Sequence, residues 1–204
     1  MRLYFVRHGK TVWNQERRLQ GMTGDSPLLP ESREEVASLG DYLANTEFDA
    51  IFSSPSKRAI DTATILSEHN QHPKEIIKKT ELFEWNLGIF EGILIEEAIK
   101  KDPDNMHAFR HHPELFWGNP IGAENLADVY RRFRKFMTWL AKQDYENVLI
   151  VSHGAFLSSS IKMITGTPIG ELRPAGVGLD NNTLSIVDYD GHDYTLVQWN
   201  ERHG

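Results

Sequence analysis

The sequence predicts an α/β fold: one domain with a mostly parallel central sheet and a small inserted cap. Three observations predict it. Leu3-Tyr4-Phe5-Val6 and Val148-Leu149-Ile150-Val151 are unbroken apolar runs, the mark of strands buried on both faces. Stretches of helical period separate the short strands. Each of the two long runs breaks abruptly into a polar cluster, Arg7-His8-Gly9 in one case and Ser152-His153-Gly154 in the other. Ligands in α/β proteins bind beyond the carboxyl ends of such strands.

The elements follow in order. After Gly9, residues 10–21 are polar, lack a sustained period and read as a loop. Gly24, Asp25, Ser26, Pro27 and Pro30 are turn residues. From Glu31 the spacing of Val36, Leu39 and Leu43 predicts a helix with acidic residues in its first turn, where they suit the dipole. Ala50-Ile51-Phe52 is a second buried strand, ending in Ser53-Ser54-Pro55; Ser56 is the expected N-cap of the helix that carries Arg58. Ile76-Ile77 is a short third strand. It leads into an aromatic, acidic loop holding Glu84 and Glu91. A helix is expected from Ile93 to Lys101, stopped by Asp102-Pro103. Met106 to Gly122, with Phe109, Phe116 and Trp117, reads as a partly helical excursion over the main body. Its aromatics are expected to pack the cap and to face substrate. Asn125 caps the next helix with Asp128 as capping-box partner, and apolar positions carry that helix to about Gln143. Helix resumes from Ala155 to Thr165. Thr183–Val187 and Tyr194–Trp199 are strands joined by a turn at Asp190-Gly191. Residues 1–204 thus read as one domain, with the cap at about 93–122.

Composition narrows the function. The chain has 204 residues, 22 basic against 29 acidic, for a formal charge of −7. That balance argues against a nucleic-acid partner, which calls for a basic face. A local arginine cluster can still dominate the field inside a cleft and take a small anion. With no cysteine, disulfides, thiolate metal sites and cysteine-nucleophile chemistry are excluded. No apolar run approaches a membrane span, and the N-terminal run is too short for a signal peptide, so a cytoplasmic location is expected. A homodimer is compatible with the sequence, which does not fix the oligomeric state.

If the three strands share one parallel sheet, Arg7, His8, Ser53-Ser54 with Arg58 beyond, and His153 meet at one edge. Two guanidiniums and two imidazoles make a poor core but a good cradle for a phosphoryl group. Arginine presents a planar fork that matches phosphate oxygens. Phosphoryl transfer asks mainly for positioning and for cations around the equatorial oxygens. A neutral imidazole can attack phosphorus, and neighbouring arginines favour the neutral form. The leaving alkoxide then needs a proton, for which partly buried Glu84 and Glu91 are the candidates.

The residues so placed resemble the histidine phosphatase superfamily (branch 1), also called the phosphoglycerate mutase-like family. The match runs through Arg7-His8-Gly9, Thr11, Trp13, Asn14, Arg18, Gln20, Gly21, Asp25-x-Pro27-Leu28, Ser53-Ser54-Pro55, Arg58-Ala59, Thr62-Ala63, Leu82-x-Glu84, Gly88, Glu91-Gly92 and Ser152-His153-Gly154. The resemblance implies a three-layer αβα sandwich. It implies His8 as the phosphorylated nucleophile, with Arg7, Arg58 and His153 on the phosphoryl group. Asn14, Gln20, Gly21 and Gly154 would complete the phosphate site, and Glu84 matches the family's proton donor better than Glu91. No metal or other cofactor is implied, and the expected partner is a small phosphorylated metabolite. The expected activity is that of a histidine acid phosphatase-type phosphomonoesterase. A phosphoglycerate mutase using the same site, and a non-catalytic module that binds phosphorylated ligands, are the alternatives. Lys10, Ser32 and Asn125 depart from the common pattern at positions where Glu, Gly and Ser are frequent. His107 and His111 stand four apart, a spacing able to hold a metal on a helix, but no third ligand is clearly placed.

Overall fold

The computed structural model describes every residue except 175, 177 and 204. Its centre is a six-stranded sheet. The strands are β1 (Arg2–Arg7), β2 (Ala50–Ser53), β3 (Ile76–Lys78), β4 (Asn147–Ser152), β5 (Leu184–Tyr189) and β6 (Tyr194–Glu201), in the order β3-β2-β4-β1-β5-β6. The first four are mutually parallel; β5 and β6 run antiparallel at one side. The register sets Arg7 opposite Ser152 and Ser53 opposite Val151, so three strands end at one edge. Successive residues serve opposite faces, as the period of two requires. Phe5 and Ile150 enter one core, while Val6 and Val151 enter the other.

Helices α2 (Pro30–Tyr42) and α3 (Lys57–Glu68) cover the Val6 face through Val36, Leu39, Ala59, Ala63 and Leu66. The other face is covered by α6 (Leu126–Leu140) and α7 (Gly154–Ile164), which bring Val129, Phe133, Phe136, Phe156 and Ile161. Layers of helix, sheet and helix result, the sandwich that the resemblance implied. Between β3 and α6 lie α4 (Ile95–Lys101) and α5 (Pro103–His111), with single 3-10 turns around them. Met106, Phe109 and Phe116 of this region share the Phe5 core, Phe109 meeting the Trp85 ring at 5.5 Å.

Several local expectations are corrected. Residues 12–15, expected as loop, form a one-turn helix, α1 (Val12–Gln15), because Thr11 and Asn14 make a reciprocal capping box. Pro103 does not merely stop α4. It stands in the first turn of α5, where its missing N–H costs nothing, and Asp102 caps it by accepting from Asn105 N–H. Helix α4 begins at Ile95 rather than Ile93, since Ile93 pairs its carbonyl with Leu19 N–H. Ser56 occupies the N-cap position of α3, but its side chain makes no capping bond; Asp25 reaches across to accept from Lys57 N–H at 2.7 Å. Helix α6 ends at Leu140, three residues short of Gln143. The Asn125–Asp128 capping box forms as expected, and so does the turn at Asp190-Gly191, with Gly191 at φ 106°. No helix among the described residues is long and apolar enough to cross a membrane.

Candidate active site

A cleft of about 250 Å³ opens at the carboxyl edge of the parallel strands, lined by Arg7, His8, Asn14, Gln20, Gly21, Arg58, Glu84 and Gly154 among others. His8 is 3% exposed. Its Nδ1 lies 2.7 Å from the carbonyl oxygen of Gly9. A carbonyl only accepts, so Nδ1 carries the proton. Nε2 is then left with its lone pair, directed at Arg58 Nε at 3.3 Å. Burial, and next the charges of Arg58 and Arg7, hold the imidazole well below the usual histidine range, hence neutral.

Arg58 is 1% exposed, in the first turn of α3. Beyond His8, its guanidinium donates to the carbonyls of Gly21 (2.9 Å) and Gly24 (2.7 Å) and to Asp25 (3.0 Å). Asp25 thereby joins Arg58 to the start of its own helix. Gly21 adopts φ 65° to present its carbonyl, and a Cβ there would fall 2.3 Å from the Glu91 carboxylate. Arg7 leaves β1 and donates Nη1 to the carbonyl of Leu179, while its Nε has no partner among the described residues. Burial draws Arg7 down to about 10, still charged at neutral pH. Gly154 gives it room: a Cβ at that position would lie 2.8 Å from Arg7 Nε.

His153 is fully buried behind His8, with ring centroids 5.2 Å apart. Its Nε2 lies 2.7 Å from Ser54 Oγ and its Nδ1 has no partner among the described residues. Burial, then Arg58 and His8, push it well below the usual histidine range too. The Asn14 oxygen accepts from Thr11 and Asn181 at the wall of the cleft. The Gln20 amide, in contrast, is committed within the loop, donating to Thr11 Oγ1 and accepting from Ser26 Oγ.

Glu84 and Glu91 are separated by the structure. Glu84 lines the cleft, its carboxylate accepting from the N–H groups of Trp85 (2.9 Å), Ala155 (3.0 Å) and Phe156 (2.7 Å), the last two at the start of α7. Glu91 lies under the first loop and accepts from the backbone of Met22, Thr23, Gly24 and Leu87 and from the Thr23 hydroxyl. The departures from the family pattern also find places. Ser32 is fully buried and accepts from Lys10 N–H at 2.6 Å.

A model of the histidine phosphatase superfamily (branch 1) matches residues 3–202. The chain belongs to this superfamily. Among relatives in it, Phosphoserine phosphatase 1 of Hydrogenobacter thermophilus is 27% identical over 201 residues, covering 98% of this chain and 92% of that protein. The uncharacterized phosphatase PhoE of Bacillus subtilis is 32% identical over 199 residues, covering 96% and 92%. The solved structure of mycobacterial glucosyl-3-phosphoglycerate phosphatase with VO3 superposes with a TM-score of 0.87 at 27% identity, covering 98% of both chains. These superfamily members are phosphatases, hydrolases of phosphate esters.

The cleft also holds residues that the sequence did not mark. Arg110 of α5 and Arg173 line it, as does Met106, beside Phe109, which is expected there from the sequence. Arg173 is 3% exposed and donates to the carbonyls of Phe109 and Ala155, tying cap to α7. No periodicity or motif signals it, because its role depends on two distant segments. Phe109 both packs the cap and faces the cleft; Phe116 is buried away from it and Trp117 is exposed. The His107 and His111 rings stack at 4.6 Å. Among the described residues, no group of three His, Asp or Glu side chains is placed to hold a metal ion.

Proposed function

We propose that the protein is a phosphomonoesterase that passes the phosphoryl group of a small metabolite through His8 to water. The observation that carries this reading is the state of His8: a buried, neutral imidazole with its proton fixed on Nδ1 and its Nε2 lone pair among arginines. In the first step Nε2 attacks phosphorus, the ester P–O bond breaks, and Glu84 in its protonated form delivers a proton to the leaving oxygen. In the second, water attacks phosphohistidine, the P–N bond breaks, and the Glu84 carboxylate takes the water's proton. Inorganic phosphate leaves and both side chains regain their starting forms. Arg7 and Arg58 hold the equatorial oxygens in both steps. The unpartnered Arg7 Nε and His153 Nδ1 are further groups for a phosphoryl oxygen to satisfy, and the Asn14 NH2, the Gly21 turn and the space over Gly154 complete the pocket. The scheme draws on no metal and no cofactor.

That Phosphoserine phosphatase 1, PhoE and the mycobacterial structural neighbour are phosphatases supports hydrolysis over isomerisation. His8→Ala should abolish turnover of p-nitrophenyl phosphate while circular dichroism shows an intact fold. Rapid quench during wild-type turnover should trap acid-labile phosphate on His8. Full activity of the variant, or no trapped phosphate at any time, would remove His8 as nucleophile. Incubation with 3-phosphoglycerate separates the phosphoglycerate mutase alternative, which yields the 2-phospho isomer rather than free phosphate. A non-catalytic binding module would yield neither.

A further inference from the structure

The carboxylate that gives and takes the proton sits on a segment with almost no regular structure. Residues 81–86 contain a single 3-10 turn at their start (Thr80–Leu82) and no regular structure after it. Something must fix this segment, because a misplacement of about 1 Å costs on the order of 10²-fold in rate. Arg132, on α6, reaches it from beneath. Its Nη1 donates to the carbonyls of Glu81 (2.9 Å) and Phe83 (2.6 Å), and its Nη2 to the carbonyl of Glu84 (3.0 Å). Nε and Nη2 donate to the two oxygens of Glu124 at 2.9 and 3.0 Å. All five guanidinium N–H groups are thus used.

Glu124 closes the ring. Its Oε2 accepts from Asn86 N–H at 3.0 Å, and its own N–H donates to the Asn86 carbonyl. The Arg132 guanidinium also lies 4.6 Å over the ring of Phe156, whose N–H is one of the donors to the Glu84 carboxylate. Both side chains of the pair are more than four-fifths buried, and neither lines the cleft. An ion pair so placed is costly as a mere stabiliser, since apolar replacements commonly do as well. What an apolar replacement cannot supply is a planar fork that sets three carbonyls in fixed directions.

We propose that Arg132 and Glu124 are positioning residues for Glu84: they hold the backbone on either side of it so that its carboxylate meets the ester oxygen. The proposal rests on the reading of Glu84 as proton donor. It predicts a signature that plain destabilisation does not produce. A misplaced acid harms substrates with poor leaving groups and spares those whose leaving group needs no proton.

The test compares kcat/KM for glycerol 2-phosphate and p-nitrophenyl phosphate in Arg132→Lys, Glu124→Gln, Glu84→Gln and Glu84→Gln/Arg132→Lys, with vanadate inhibition as a measure of the phosphoryl grip. Because kcat/KM reports steps up to phosphohistidine formation, the later hydrolysis does not mask the leaving group. Lysine keeps the charge but not the fork. Arg132→Lys and Glu124→Gln should lose about 10²-fold on the alkyl ester. Their loss on the aryl ester should be at least about tenfold smaller, at unchanged vanadate affinity. The double variant should be no slower on the alkyl ester than Glu84→Gln alone, since the two changes act on one event. Equal losses on both esters in the Arg132 and Glu124 variants, or additive losses in the double variant, would overturn the positioning role. If Glu84→Gln itself loses equally on both esters, the proton-donor reading falls and takes this proposal with it. Glu124→Gln is isosteric and keeps the proposal testable should Arg132→Lys fold poorly.

Discussion

Glu84 and Glu91 are two carboxylates in one connection, both occupied with backbone N–H groups, yet they face different tasks. Glu84 accepts three such bonds and still borders the cleft. Glu91 accepts from four backbone N–H groups and a hydroxyl, and is spent on them. Its bonds shape the turn at residues 21–24, whose carbonyls at Gly21 and Gly24 hold the Arg58 guanidinium. One carboxylate therefore stands open to the cleft and the other stands two bonds behind the Arg58 guanidinium. The difference teaches that access, not chemical type or acceptor count, separates a carboxylate able to serve the cleft from a brace.

The largest effects should break or sharpen that contrast. Glu84→Gln should cost about 10²- to 10⁴-fold in kcat/KM for an alkyl phosphate, the usual worth of general acid catalysis, and much less for p-nitrophenyl phosphate. Glu91→Gln should act evenly. It turns an NH2 toward backbone donors, loosens the turn and weakens the Arg58 grip for every substrate alike, with a loss of stability of about 2 kcal/mol from bonds to a charged acceptor. Parallel kinetics on two leaving groups, with urea unfolding of each variant, decide it. A leaving-group dependence in Glu91→Gln would mean that the two roles had been exchanged.

Next in size is Gly154→Ala. The new methyl would stand 2.8 Å from Arg7 Nε and 2.9 Å from its Cζ. The guanidinium is the movable end of its side chain, so the fold should absorb the change while the phosphate ligand shifts. A loss on the order of 10²-fold in kcat/KM is expected for all esters, with little change in unfolding midpoint. A normal rate would show that Arg7 can be displaced without penalty.

The half of the candidate site built on strand ends is readable from the sequence pattern itself, whereas the loop residues Asn14 and Gln20, and the choice of Glu84 over Glu91, come only through the family resemblance. Phe5-Val6-Arg7-His8 states its strand, its end and its chemistry within one run, because apolar periodicity and an abrupt polar break are local signals. His153 follows the same rule on β4. Arg173 and the Arg132–Glu124 pair are different. Their bonds join segments 18 to 64 residues apart, and the pair only 8 residues apart spans a helix start with no period to mark it. The one-turn helix at Val12 is illegible in the sequence for a related reason. Its capping box is polar, and four residues cannot show a helical period. Pro103 reads as a stop in the sequence because proline ends helices more visibly than it begins them.

The two buried histidines give the strand-end half a pH signature. Both are held neutral well below the usual histidine range, chiefly by burial and then by neighbouring arginine charge. In the unfolded chain each takes up a proton near the ordinary histidine value of 6.5. Below that pH the unfolded state binds more protons than the folded one, so stability falls as pH drops; above it neither histidine contributes. Each should impose a slope of up to about 1.4 kcal/mol per pH unit. His8→Asn should therefore flatten the fall between about pH 6 and pH 5 by roughly that amount, read from urea midpoints. Parallel curves for the variant and the wild type would show that His8 takes a proton in the folded protein.

The smallest expected effect probes the first loop where it meets α2. Ser32 is fully buried and its hydroxyl accepts from Lys10 N–H at 2.6 Å, two residues beyond His8. The adjacent Gly9 N–H donates to Thr62 Oγ1 on α3. The backbone that accepts the His8 Nδ1 proton is thus held by one hydroxyl from each helix of the Val6 layer. Ser32→Ala keeps the helix and the volume but strands the Lys10 donor, a cost of about 1 to 3 kcal/mol when no water reaches it. The Gly9 carbonyl keeps its second anchor, so kcat/KM should fall only a few-fold while the urea midpoint drops. A rate loss as large as that of Gly154→Ala would show that this anchor, rather than Thr62, sets the His8 tautomer.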